Sequence, residues 1–146
     1  MQRSRVMLNT TSKYALRALV ALADADGDAF MTGRALSELA DVPANYLSKV
    51  LGARGDVGVI DAVRGRGGGY RLARPASEIA LIEAVEVFEG LQTRPSCILG
   101  IHEECSDAEP CSAHAAFRQV RAQWIAFLEE TSIEDAARME RVATPG

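Results

Sequence analysis

The chain has 146 residues, 48% of them hydrophobic and 25% charged, and a formal net charge of −4. This length holds one domain with a core, or a small domain with an arm, and excludes two large domains; the composition is that of an ordinary globular protein with disorder expected only at its ends. Charge is spread unevenly, with eleven Lys and Arg against eight Asp and Glu in residues 1–80 but five against twelve in residues 81–146. A surface for a polyanion is therefore sought in the first half.

In chain order, TTSKYALRALVALADADGD offers Thr10, Thr11 or Ser12 as an N-cap, then Ala15, Leu19 and Leu22 at helical spacing, which predicts an amphipathic helix ending near Gly27. Its apolar run ALRALVALA is interrupted by Arg17 and too short to cross a bilayer, and no leader pattern precedes it, so a cytoplasmic protein without membrane contact is expected. Two short helices follow, about 34–40 and 44–53, joined by DVP, whose Pro43 cannot extend the first but suits the start of the second. This pattern fits a helix-turn-helix, in which the second helix lies in the major groove of DNA, although helical hairpins that bind nothing look the same. Asn45, Tyr46, Ser48 and Lys49 are the expected outward, DNA-facing residues, with Leu47, Val50 and Leu51 facing inward.

The next segment, VIDAVRGRGGGYRLARP, reads as two strands around a basic glycine turn, closed by Pro75. Such a hairpin makes a wing whose Arg64 and Arg66 project where a minor groove would accept them, while its glycines permit positive φ. A phosphate loop is excluded because no Gly-Lys-Ser/Thr follows and a strand, not a helix, comes next. LIEAVEVFEG then predicts a linking helix over 81–89, ended by Gly90.

All three cysteines, Cys97, Cys105 and Cys111, fall in RPSCILGIHEECSDAEPCSAH, with His114 three residues after the last. A reducing compartment disfavours structural disulfides, and three thiols cannot all pair, so metal binding or redox sensing is indicated. Three thiols and an imidazole supply four donors for an iron–sulfur cluster. Gaps of seven and five residues lack the short clips of structural zinc modules, which makes zinc the less natural occupant. A switch by thiol oxidation without any metal is the remaining alternative. Glu103, Glu104, Asp107 and Glu109 are expected as solvated loop charges, and His102 as an exposed loop residue. An enzyme is not expected, since no activating base is set beside a nucleophile in a pocket. Beyond the loop, Phe117, Val120, Trp124 and Phe127 form a narrow apolar stripe at spacings of three, four and three, which asks for a partner and predicts a dimerisation helix.

Taken together, SKYALRALVALA, YLSKVL, VRGRGGGYRLARP and CSAHAAFRQV with FLEETSIEDAA resemble the Rrf-two family of bacterial winged helix-turn-helix regulators over residues 8 to 138. The resemblance implies a homodimer on double-stranded promoter DNA, acting as a repressor, with an iron–sulfur cluster controlling that binding and no small-molecule substrate. It places Cys97, Cys105 and Cys111 as cluster ligands and His114 where the cluster-assembly branch has a histidine. The cluster is expected as 2Fe–2S ahead of 4Fe–4S. The nitric-oxide-sensing branch has an aspartate where this chain has Lys13. The expected fold is mainly α with a small β-hairpin wing: a winged helix-turn-helix domain over 1–80, then over 81–146 the linker helix, the cysteine loop (91–112) and a long C-terminal dimerisation helix.

Overall fold

A computed structural model describes residues 8–25, 29–55, 58–91 and 95–143. Helix α1 (Thr10–Asp24) starts at Asn9, whose side chain accepts from the Ser12 N–H at 2.8 Å. The N-cap is therefore one residue earlier than expected, because the Ser12 hydroxyl turns inward to Glu89 instead of back onto its own helix. The helix ends at Asp24, and Gly27 lies outside the described residues.

Thr32 caps α2 (Gly33–Ala40), and Asp41 then adopts the left-handed conformation at φ 54, turning the chain through buried Val42 and Pro43 into α3 (Ala44–Gly55). The Pro43 carbonyl accepts from the N–H groups of Tyr46 and Leu47, so proline opens α3 as its missing donor allows. Strands β1 (Ile60–Val63) and β2 (Gly69–Leu72) pair antiparallel with Ile60 opposite Leu72. The sequence did not announce one further connection: Met31 and Tyr70 exchange both backbone hydrogen bonds, at 2.8 and 2.7 Å, which fastens the wing to the segment before α2.

Helix α4 (Leu81–Glu89) has the expected bounds and ends on Gly90 at φ 62, a left-handed cap that glycine takes without strain. After the cysteine loop, α5 runs His114–Glu130 and α6 runs Ile133–Ala143. The expected C-terminal arm is thus two helices. Between them, Thr131 O accepts from Leu81 N and Ile79 O accepts from Ile133 N, both at 2.8 Å, so the break is fixed by pairing with the segment before α4. One continuous core joins Leu19 of α1, Leu36, Leu47 and Leu51 of the helix-turn-helix, and Ile79, Val85, Leu128 and Ile133 from the second half. Each such side chain contributes roughly 1.5–3 kcal/mol on leaving water, enough for the core to hold α1 against both halves. No helix among the described residues is long and apolar enough to cross a membrane.

Candidate DNA interface and cysteine centre

On α3, Leu47, Val50 and Leu51 are buried while Asn45, Tyr46, Ser48 and Lys49 are exposed, so the inward and outward faces are those expected from the spacing. The Tyr46 ring meets the edge of Tyr14 on α1 at a centroid distance of 5.4 Å, and the Arg17 guanidinium lies 5.5 Å from the Tyr14 ring. Arg17 also donates from Nε to the Ala40 carbonyl at 3.0 Å and from Nη2 to the Asp41 carbonyl, satisfying orphan carbonyls at the end of α2.

The wing tip exposes Arg64 and Arg66. A side chain at Gly69 would place its Cβ 2.0 Å from the Met31 carbonyl oxygen, and one at Gly68 would stand 2.2 Å from that of Val63. Only glycine lets the hairpin close onto the neighbouring backbone. A cleft of about 510 Å³ lined by Ser48 and Gly52 on one side and Val63 and Arg64 on the other sets α3 and the wing beside a common opening. Arg71 holds the wing's base, 3.3 Å from Asp61 across the hairpin and with its guanidinium carbon 4.4 Å from the Phe30 ring centroid.

In the cysteine loop Cys97 is buried and Cys105 and Cys111 are partly so, all as free thiols. The Cys97 thiol is lowered to about 6, first by the His102 backbone amide, against the opposing effect of burial, with the Ile101 and Leu99 amides and the Cys111 thiol adding to the shift. Cys105 stands beside His114, whose Nδ1 is 3.3 Å from Cys105 Sγ. On the other side of the ring, Nε2 stands 2.9 Å from Asp107 Oδ1, which also accepts from Arg118 Nη1 at 2.5 Å. These two partners, His114 first, hold the Asp107 carboxyl below its usual range. An ionised carboxylate can only accept, so Nε2 carries a proton and, in the neutral ring, Nδ1 presents its lone pair toward Cys105.

Asp107 and Arg118 are neighbours of His114 that sequence reasoning missed, since a carboxylate seven residues before His114 in an irregular loop follows no periodicity. His102, expected as an exposed loop residue, is partly buried, its Nδ1 3.9 Å from Glu109 Oε2. Among the described residues no three His, Cys, Asp or Glu side chains converge tightly enough for a single metal ion. An open cleft of about 580 Å³ runs from Cys105 and His114 along Phe117, Arg121 and Ile125 of α5.

A helix-turn-helix beside a glycine-tipped basic wing defines a winged-helix transcriptional regulator rather than an enzyme. Residues 8–139 match the Rrf2 family, described as an iron-dependent transcriptional regulator, and the chain belongs to that family. It is 30% identical over 141 residues to the HTH-type transcriptional regulator IscR of Cereibacter sphaeroides, covering 94% of this chain and 91% of that one. Among solved structures, CymR, the global cysteine regulator of B. subtilis, superposes with a TM-score of 0.75 at 21% identity, over 92% of this chain and 98% of the other. IscR of T. potens superposes with a TM-score of 0.75 at 19% identity, over 97% and 93%. These two likenesses speak for the fold.

Proposed function

We propose that this regulator is a cytoplasmic repressor that binds promoter DNA as a homodimer, and that an iron–sulfur cluster held by Cys97, Cys105, Cys111 and His114 controls that binding. Supporting the DNA role, Asn45, Tyr46, Ser48 and Lys49 lie on the exposed face of α3 next to a wing carrying Arg64 and Arg66. In this reading α3 meets major-groove edges and the arginines enter or flank a minor groove.

The observation that carries the cluster is the contact of Cys105 Sγ with His114 Nδ1 at 3.3 Å, in the same loop that holds Cys97 and Cys111 as free thiols. In a two-iron cluster each iron takes two protein donors, and three thiols with one imidazole supply the four, which is why 2Fe–2S is favoured over a lone metal ion. Such a cluster supplies one-electron redox chemistry and a covalent tie between the two ends of the loop. The chain's own residues do the rest: Asp107 orients the imidazole, the amides of Leu99, Ile101 and His102 favour the thiolate of Cys97, and the cleft along α5 admits solvent.

A metal-free thiol switch is the second reading, favoured by the Cys97 thiol lowered to about 6, first by the His102 backbone amide. Purification without oxygen separates the two. The cluster reading expects coloured protein with matched iron and acid-labile sulfide, whereas colourless protein whose DNA affinity follows a disulfide would establish the switch, and stoichiometric zinc would overturn both.

For the dimer, α5 leaves Val120 58% and Phe127 44% exposed on one face, while Trp124 between them packs against the core. An antiparallel pairing centred between residues 123 and 124 would set Val120 of one copy opposite Phe127 of the second. That symmetry also places two recognition helices toward two half-sites.

A further inference from the structure

The turn that leaves α4 is tied to two other elements just before the cysteine loop. Leu91 N donates to Glu86 Oε2 at 3.1 Å, and the Leu91 carbonyl accepts from Arg121 Nη2 on α5 at 2.5 Å. Two residues earlier, Glu89 Oε1 accepts from both Asn9 N, at 2.7 Å, and Ser12 Oγ, at 2.6 Å, while the Phe88 carbonyl accepts from Asn9 Nδ2 at 3.1 Å. Ser12 is fully buried. The Glu89 carboxylate therefore sits at the positive end of α1 and supplies the acceptor for a hydroxyl removed from water.

Farther along the same helix, α1 grips the reading head. Tyr14 meets Tyr46 of α3, and Arg17 holds the Ala40 and Asp41 carbonyls at the end of α2. Ser12 and Arg17 stand five positions apart on α1, a span of about 7.5 Å at 1.5 Å per residue, which a hydrogen-bonded helix crosses as a rigid piece.

We propose that Glu89 is a positioning residue that couples the cysteine loop to the recognition helix. It fixes the N-terminus of α1 to the α4–loop junction, and α1 carries a displacement of that junction to Tyr46 and to the turn before α3. The inference rests on the reading that the state of the loop controls DNA binding. It adds the contact through which the control passes. Breaking the two hydrogen bonds to Glu89 would release the N-terminus of α1 from the junction, which gives the loop a contact through which to shift α1.

The test compares the wild-type chain, E89A, E89Q and S132A, the last weakening the cap of α6, which makes none of the Glu89 hydrogen bonds. For each, operator affinity is measured with the loop reconstituted with iron and sulfide and with it reduced and cluster-free, alongside cluster absorbance and thermal unfolding. Hydrogen exchange of the α3 amides is followed in the cluster-free proteins. The ratio of affinities between the two states should collapse toward one in E89A, a loss of about fivefold or more, with cluster loading retained. E89Q, which keeps an acceptor oxygen, should keep part of the ratio, and S132A all of it. E89A should also speed exchange in α3. A wild-type ratio retained in E89A would overturn the proposal. If the wild type itself showed no difference between loaded and cluster-free protein, the cluster reading would fail, and the exchange data would still decide the link: unchanged α3 exchange in E89A would overturn it.

Discussion

At the scale of single residues, His114 is held from both sides, with Cys105 at one nitrogen and Asp107 at the other. A carboxylate behind a ligating imidazole fixes its tautomer and raises its basicity, and removing such a partner typically costs 10–100-fold in metal affinity. Asp107→Ala should therefore leave assembly intact but speed cluster loss to a chelator by about tenfold or more. Loss at the wild-type rate, followed by absorbance, would remove His114 from the ligand set. Cys97, Cys105, Cys111 and His114 stood out in the sequence as candidates because Cys and His in one loop are chemically distinctive. Their contacts did not: which thiol meets which donor depends on turns such as the one where Gly100 N reaches the Cys97 carbonyl, and on the contact of Cys105 N with the Pro95 carbonyl.

At the scale of elements, periodicity located α1 to α4 and the hairpin, and the bounds of α4 were readable because Gly90 ends it by a local, left-handed cap. The Met31–Tyr70 bridge and the break at Thr131 and Ser132 were not readable, since both are made by backbone pairing between segments distant in sequence. In the wing, replacing Arg64 and Arg66 together by alanine should weaken operator binding by roughly 1–3 kcal/mol or more and reduce its salt dependence while the fold survives. Unchanged affinity and salt slope would remove the wing from the interface.

At the start of α6, Ser132 and Asp135 cap each other reciprocally, with Ser132 N on Asp135 Oδ2 and Asp135 N on Ser132 Oγ, both at 3.0 Å. Ser132→Ala should cost about 1 kcal/mol of stability in thermal or urea unfolding. The Ser132 backbone N–H, then its hydroxyl, hold the Asp135 carboxyl below its usual value. A depressed folded value adds stability above the unfolded one, about 3.9, which is lost as pH falls through the folded one. Asp135→Asn should accordingly lower the melting temperature at pH 7, with the gap from wild type closing as pH falls below about 4. A gap independent of pH would mean that the carboxylate's charge does not contribute.

At the scale of the whole molecule, residues of α1, of the reading head and of the helices around the cysteine loop share one core. In the proposed dimer the exposed Val120 and Phe127 of α5 face the second copy. Val120→Glu with Phe127→Glu should give a folded monomer in sedimentation and abolish the preference for a palindrome over a half-site, whereas a dimer that persists would place the interface elsewhere. The central claim is that the loop's cluster sets DNA affinity. It is tested most directly by measuring binding to an operator selected from random duplexes across a series of samples prepared without oxygen, with iron and acid-labile sulfide counted in each. Affinity should change in step with cluster occupancy, by about fivefold or more between the extremes; the same affinity at every occupancy would contradict the account.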